Sequence, residues 1–361
     1  MPAGVDNRRS APMTGTARLV GDGLDNPANA KALLDAAAMF GIPCLFRDSR
    51  GLADRWSVHR GGQPLTTVDT NDLLDESTPI IAVENTPNAA SVFTADPPTG
   101  RPAIVVGNER RGIRPDLIRA ATTTVQIPMP GRGVNTLNVA SAAAVALYYL
   151  LNAAGRRRPR STRPQTHRPA VLLLGPGDHV EAGSTLRSAA AFGWHTVGID
   201  DRDKVWFGTP RPARSEGRAA ARSHRNPLRV VPTPTDPHPG FTRVIVAGTR
   251  IDGPPLHRVN LAVGPRTVLV VPDEEALGPH EDWQRLGGTL EFARVDLPRP
   301  DFPYRYRLVA SIILAEAARQ LGTRPTGRPA RPPRQPTYES ALTLDAPTNA
   351  EVVTPQELFR Y

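Results

Sequence analysis

Two short runs in the first half of this 361-residue sequence gather groups that could handle a small polar ligand. The run VVGNERRG, from Val105 to Gly112, sets a glycine and polar side chains directly after an apolar, strand-like stretch. Backbone without a Cβ can approach a ligand closely there, although the run by itself reads first as an ordinary strand-to-helix turn. Downstream, IPMPGRGVNTLNVAS from Ile127 to Ser141 is a proline-bounded loop in which Asn135, Thr136 and Asn138 lead into an Ala-rich helix. Small hydroxyl and amide side chains beside a helix N-terminus offer a cluster of hydrogen-bonding groups.

The elements that must position these groups occur twice. NAKALLDAAAMFG, Asn29 to Gly41, is matched by EAGSTLRSAAAFG, Glu181 to Gly193, in its alanines, its Phe-Gly end and its apolar spacing. Both follow a short strand, TARLVGDG in one case and PAVLLLGPG in the other. Ala103 to Gly112 is echoed by Thr267 to Gly278, each an apolar strand followed by an acidic turn. The loop and helix from Val125 are echoed from Ala293, with helices expected to start near Val139 and Val309. Three paired elements in one order, about 150 residues apart, mean an internal duplication. Strands alternating with helices predict an α/β fold with parallel sheets covered on both faces, and ligands in such sheets sit beyond the carboxyl ends of the strands.

This organisation divides the chain into a flexible arm (1–16), a first domain (17–154), an Arg/Pro-rich linker (155–169), a second domain (170–322) and a flexible tail (323–361). Thirty-nine prolines and 30 glycines fit long irregular connections. The formal charge of +9 and a pI near 10.4 favour an acidic partner such as nucleic acid. Lys31 and Lys204 are the two lysines, however, and an arginine bias of this kind also follows from a GC-rich coding sequence. A run of basic residues, Arg211, Arg214, Arg218, Arg222, Arg225 and Arg229, opposed only by Glu216, reads either as a solvated face or as a surface that tracks RNA phosphates. The single cysteine, Cys44, excludes an intrachain disulfide and any multi-cysteine metal site, and reads as a small core residue. The histidines lack metal-ligand spacing, so no metal is expected. With no long apolar run and no leader pattern, the expectation is a soluble cytoplasmic protein.

Taken together, Asn29 to Asp35, Gly107 to Gly112 and Ile127 to Ser141 resemble the three motifs of the SpoU/TrmH branch of the SPOUT RNA methyltransferases, N-x-G-x-x-x-R, G-x-E-x-x-G and I-P-M…S-L-N-V-S. The resemblance covers roughly Arg18 to Leu150 and Ala170 to Leu321. It implies two tandem α/β trefoil-knot domains, a bent S-adenosylmethionine held among the knot loops, and ribose 2′-O-methylation of rRNA or tRNA. Carried over residue by residue, it assigns Val106, Gly107, Asn108, Glu109, Ile127, Pro128, Met129, Leu137 and Asn138 to the cofactor. It assigns Arg187, Asn29, Glu109, Thr136 and Asn138 to catalysis, and Arg211, Arg214, Arg218, Arg222 and Arg225 to RNA.

The departures from the family pattern are unequal in the two copies. Asp35 stands where the family has its catalytic arginine, and reads as a solvated helix residue. In the second copy the arginine is present as Arg187, but Glu181 replaces the asparagine and Pro272-Asp273 replaces Gly-Asn. Tyr304-Arg305-Tyr306 is set against Thr136-Leu137-Asn138, with the tyrosines expected to obstruct a second cofactor pocket. Since family members act as dimers, the resemblance implies one composite site in an intrachain pseudo-dimer that is monomeric in solution. A non-catalytic RNA-binding protein remains open as an alternative, as does a methyltransferase acting on a small molecule or peptide.

Overall fold

The computed structural model describes residues 17–60, 65–74, 78–96, 100–108, 110–130, 136–151, 168–208, 228–233, 241–261, 266–278, 283–299 and 302–322. The expected arm, the tail and linker residues 155–167 lie outside them. The last two residues of the expected linker hold onto the second half: Arg168 donates to the Phe192 carbonyl at 2.8 Å, and the Pro169 carbonyl accepts from the Trp194 indole at 2.9 Å.

The first half runs β1 (Arg18–Asp22), α1 (Pro27–Phe40), β2 (Cys44–Arg47), α2 (Leu52–Arg60), α3 (Thr70–Leu73), β3 (Ile80–Val83), β4 (Ala90–Ser91), β5 (Ala103–Val106), α4 (Pro115–Ala120), β6 (Thr123–Gln126) and α5 (Val139–Leu151). The second runs β7 (Ala170–Leu174), α6 (His179–Ala191), β8 (Thr196–Asp200), β9 (Arg229–Pro232), β10 (Arg243–Gly248), β11 (Thr267–Pro272), α7 (Glu274–Leu277), β12 (Thr289–Arg294) and α8 (Tyr306–Gln320).

Local chemistry accounts for the helix ends. Asn26 caps α1 by accepting from the Ala28 amide, Pro27 fits the first turn, and Gly41 closes the helix at φ 66°. Asp178 caps α6 through the Val180 and Glu181 amides. The strands are apolar runs such as AIVV and TVLVVP, as strands buried on both faces must be.

Each half forms a six-stranded sheet in which every pairing between strands is parallel, in the orders β2-β1-β5-β3-β6-β4 and β12-β10-β11-β7-β8-β9. Read from its other end, the second order is β9-β8-β7-β11-β10-β12; apart from the outer strands β9 and β4, it is element for element the order β2-β1-β5-β3-β6 of the first. In both copies the strand that carries the acidic turn is inserted between two earlier ones. Its carboxyl end therefore lies among the loops that follow β1 and β3.

Helices α1, α5, α6 and α8 fill the space between the sheets, and one apolar cluster runs through both halves without a break. The closest packing between the halves is α5 on α8, whose Ala-rich faces let the backbones approach. At their crossing the Tyr149 hydroxyl donates to Glu316 at 2.6 Å, and Arg319 and Gln320 also donate to this fully buried carboxylate. Cys44 is buried, and burial pushes its thiol up to about 12. No helix among the described residues is long and apolar enough to cross a membrane.

One expected boundary moves. Helix α5 starts at Val139 as expected, but α8 starts at Tyr306, three residues before Val309. The cause is Glu181, whose carboxylate accepts from the Arg307 amide at 3.0 Å and so satisfies a first-turn donor that would otherwise be free.

Candidate functional site

Loops at the carboxyl ends of β1, β5 and β6 come together with the start of α5. The loop after β5 is drawn tight by paired bonds, Asn108 amide to Gly112 carbonyl at 3.1 Å and Gly112 amide to Asn108 carbonyl at 2.7 Å. Its Asn108 side chain is buried, donates to the Gly23 carbonyl at 3.0 Å and accepts from the Arg110 amide at 2.9 Å. Gly107 is required here, because a Cβ at that position would collide with the backbone of Gly112 and Ile113. Gly107→Ala should therefore distort the loop and cost about 1–3 kcal/mol, as overpacking against backbone does. Urea unfolding checks this, and an unchanged midpoint would contradict the close approach.

Three charged residues that the sequence reading did not single out support this loop. Glu84, beyond β3, accepts from the Ile113 amide at 2.9 Å. Asp22 ends β1, forms a buried ion pair with Arg47 at the end of β2, and accepts from the Arg114 amide at 2.8 Å. The available signal was position: a charge at the carboxyl end of a buried parallel strand has few roles apart from binding or bracing the loops there.

Ile127, Pro128 and Leu137 are buried, Met129 is half-buried, and Val106, Ile127 and Leu137 belong to one apolar cluster. Asn138 caps α5 by accepting from the Ala140 amide at 2.9 Å, while its side-chain amide donates to Asn29 at 3.2 Å. Asn29 also lines an open cavity of about 220 Å³ with Leu24, Asp25, Asn26, Asn108 and Arg110. The structure thus brings together Asn29, Asn108 and Asn138. Glu109 and Asn135 lie outside the described residues, as do Arg211, Arg214, Arg218, Arg222 and Arg225; Arg229, at the start of β9, is exposed.

Arg187 reaches this loop from the other half. It is 7% exposed, and its guanidinium donates to the Thr136 carbonyl at 3.2 Å, the Thr136 hydroxyl at 2.8 Å and the Leu137 carbonyl at 2.9 Å. A planar fork meeting adjacent acceptors is a geometry that a lysine cannot supply. Arg187 is therefore not a solvated surface arginine.

The equivalent place in the second half is filled. Tyr304 and Tyr306 are buried, the Tyr306 hydroxyl donates to the Val271 carbonyl at 3.0 Å, and the Tyr304 hydroxyl bonds the Arg299 carbonyl. Glu274 is turned inward onto the Thr249 amide and hydroxyl, both at 2.7 Å. The cavity remaining among these groups is about 10 Å³, room for about one water. Burial raises the Asp273 carboxyl above its usual range despite its bond from the Gly177 amide.

Asp35 is not simply solvated. It accepts from Arg305 at 2.7 Å across the halves, and Lys31 lies 3.3 Å away on its own helix. Glu181, in the place of Asn29, lies 3.4 Å from Arg307 and 3.8 Å from Arg305. Burial raises its carboxyl in spite of both arginines. No group of three or more His, Cys, Asp or Glu among the described residues is placed to hold a metal ion.

Residues 17–148 match the model of the SpoU rRNA Methylase family, a likeness at family level that spans the first half. No curated protein matches the chain. Among solved structures, a putative RNA methyltransferase of the TrmH family from Porphyromonas gingivalis is 26% identical at a TM-score of 0.31, over 40% of this chain and 62% of that one. An RNA 2′-O ribose methyltransferase is 30% identical at a TM-score of 0.32, over 39% and 57%. The SpoU methyltransferase AviRb from Streptomyces viridochromogenes, in complex with AdoMet, is 21% identical at a TM-score of 0.32, over 42% and 62%. The chain spans less than two thirds of each of these three.

Proposed function

We propose that this chain, whose first half matches the SpoU rRNA Methylase family, transfers a methyl group from S-adenosylmethionine to a ribose 2′-hydroxyl of rRNA or tRNA. The observation that carries the reading is Arg187 of the second half bonded to Thr136 and Leu137 of the first. One composite site results, with the arginine that α1 lacks at Asp35 supplied by α6.

The residues of the first half fit the cofactor. Val106, Ile127 and Leu137 would give a flat adenine apolar neighbours, and Gly107, whose own turn leaves no room for a Cβ, would give it backbone. Pro128, Met129, Asn108, Glu109 and Asn138 complete the set. When bound, S-adenosylmethionine supplies an electrophilic methyl group.

The chain's own groups do the rest. The Arg187 guanidinium, charged at any working pH and largely shielded from water, lowers the cost of negative charge on the attacking ribose oxygen. Asn29 and Asn138 hold each other at the site's edge, and Glu109 and Thr136 contribute acceptors. Residues 17–154 form the cofactor-binding domain and 170–322 the arginine-bearing one, joined by 155–169, in a chain that is monomeric in solution. Arg211, Arg214, Arg218, Arg222 and Arg225 attract RNA phosphates.

Titration calorimetry with S-adenosylmethionine tests the asymmetry. The expected result is one site per chain, with the second half barred by Tyr304 and Tyr306. Two equivalent sites, or none, would overturn it.

A further inference from the structure

The two contacts that link helix to loop across the halves are related by the duplication, yet their chemistry is opposite. Arg187 on α6 donates to carbonyls in the segment before α5, and Asp35 on α1 accepts from Arg305 in the segment before α8. Pairing two first halves would set Asp35 against the Thr136 and Leu137 carbonyls, acceptor against acceptor. Pairing two second halves would set Arg187 against Arg305, like charge against like. Only a first half on a second half satisfies both positions.

The α5–α8 crossing has the same bias. Glu316 is fully buried and takes a hydrogen bond from Tyr149 of the other half. Two second halves would leave that carboxylate without the tyrosine.

We infer that the Asp35–Arg305 pair, set against the Arg187 contact, makes pairing of the halves one-way: each half accepts only the unlike half, and the like half of a second copy of this chain is excluded as partner for either. Each half thereby loses the capacity to pair with its own like. Specificity of this kind rests on the repulsive arrangement as much as on the attractive one. The inference rests on the intrachain pairing and not on methyl transfer, so its test reads assembly and stability and leaves activity aside.

The first measurement uses the full chain. Asp35→Asn, Arg305→Gln and the double variant are compared by urea unfolding. The double is expected to lose less than the sum of the two singles, because both changes remove the Asp35–Arg305 contact. Additive losses would overturn the pair. The second places a protease site in the linker after Gly155 and reads the cut protein by native mass spectrometry. Only first-with-second complexes are expected. Asp35→Arg should weaken these about tenfold or more, because the new side chain faces Arg305, and should bring out first-with-first dimers in which the introduced guanidinium takes the role of Arg187. Like-with-like dimers from the cut unsubstituted protein, or unchanged pairing in Asp35→Arg, would refute the inference.

Discussion

Arg187→Ala is expected to lower methyl transfer by a factor on the order of 10²–10³, the loss seen when a preorganised donor is removed from an acyl- or group-transfer site. The expectation follows from where the guanidinium lies. It is buried at the joint between the halves and fixed by three bonds, so its charge is in place before any reaction begins. Sequence reasoning alone would leave cofactor binding untouched by this change, since the arginine belongs to the copy without a cofactor pocket. The contacts say otherwise. Arg187 ties down Thr136 and Leu137, both assigned to the site, so cofactor affinity should fall too, by about tenfold for lost hydrogen bonds from a charged donor. Arg187→Lys should recover little, because a single ammonium cannot span two carbonyls and a hydroxyl. Single-turnover rates at saturating cofactor, beside calorimetric affinities, separate the two effects. Full activity in Arg187→Ala would end the composite-site reading.

Glu316→Ala should destabilise the fold by about 3–5 kcal/mol, because it leaves Arg319 as a buried charge without its partner. Glu316 is fully buried and receives Tyr149, Arg319 and Gln320. Tyr149→Phe removes only the bond that crosses between the halves, and should cost about 1.5–3 kcal/mol. Burial first, then the neighbouring Glu316 carboxylate, holds the Tyr149 hydroxyl well above its ordinary range, so it serves as a donor at every working pH. Urea midpoints measure both, and a Glu316→Ala loss below that of Tyr149→Phe would contradict the assigned geometry.

The parts legible in the sequence are those that rest on local pattern. Strands such as AIVV and TVLVVP declare themselves as short apolar runs, and α1 and α6 carry their own caps in Asn26 and Asp178. The repeated order of elements was readable because both halves carry Ala-rich helices. The insertion of β5 between β1 and β3 was not, since strand order depends on how distant elements pack. The early start of α8 also escaped, because its first-turn donor is satisfied by Glu181, 126 residues away. At the site, the family motifs picked out Arg187 and Asn138, but their mutual arrangement is tertiary. Asp35 was misread for the same reason: a carboxylate on a helix looks solvated until Arg305, 270 residues along the chain, is brought against it.

The proposed reaction is tested most directly by nucleoside mass spectrometry of rRNA and tRNA after incubation with the protein and methyl-labelled S-adenosylmethionine. A labelled 2′-O-methylnucleoside is expected, formed at an initial rate lower by on the order of 10²–10³ when Arg187→Ala replaces the unsubstituted chain. Label on a nucleobase, or no label in RNA at all, would contradict it.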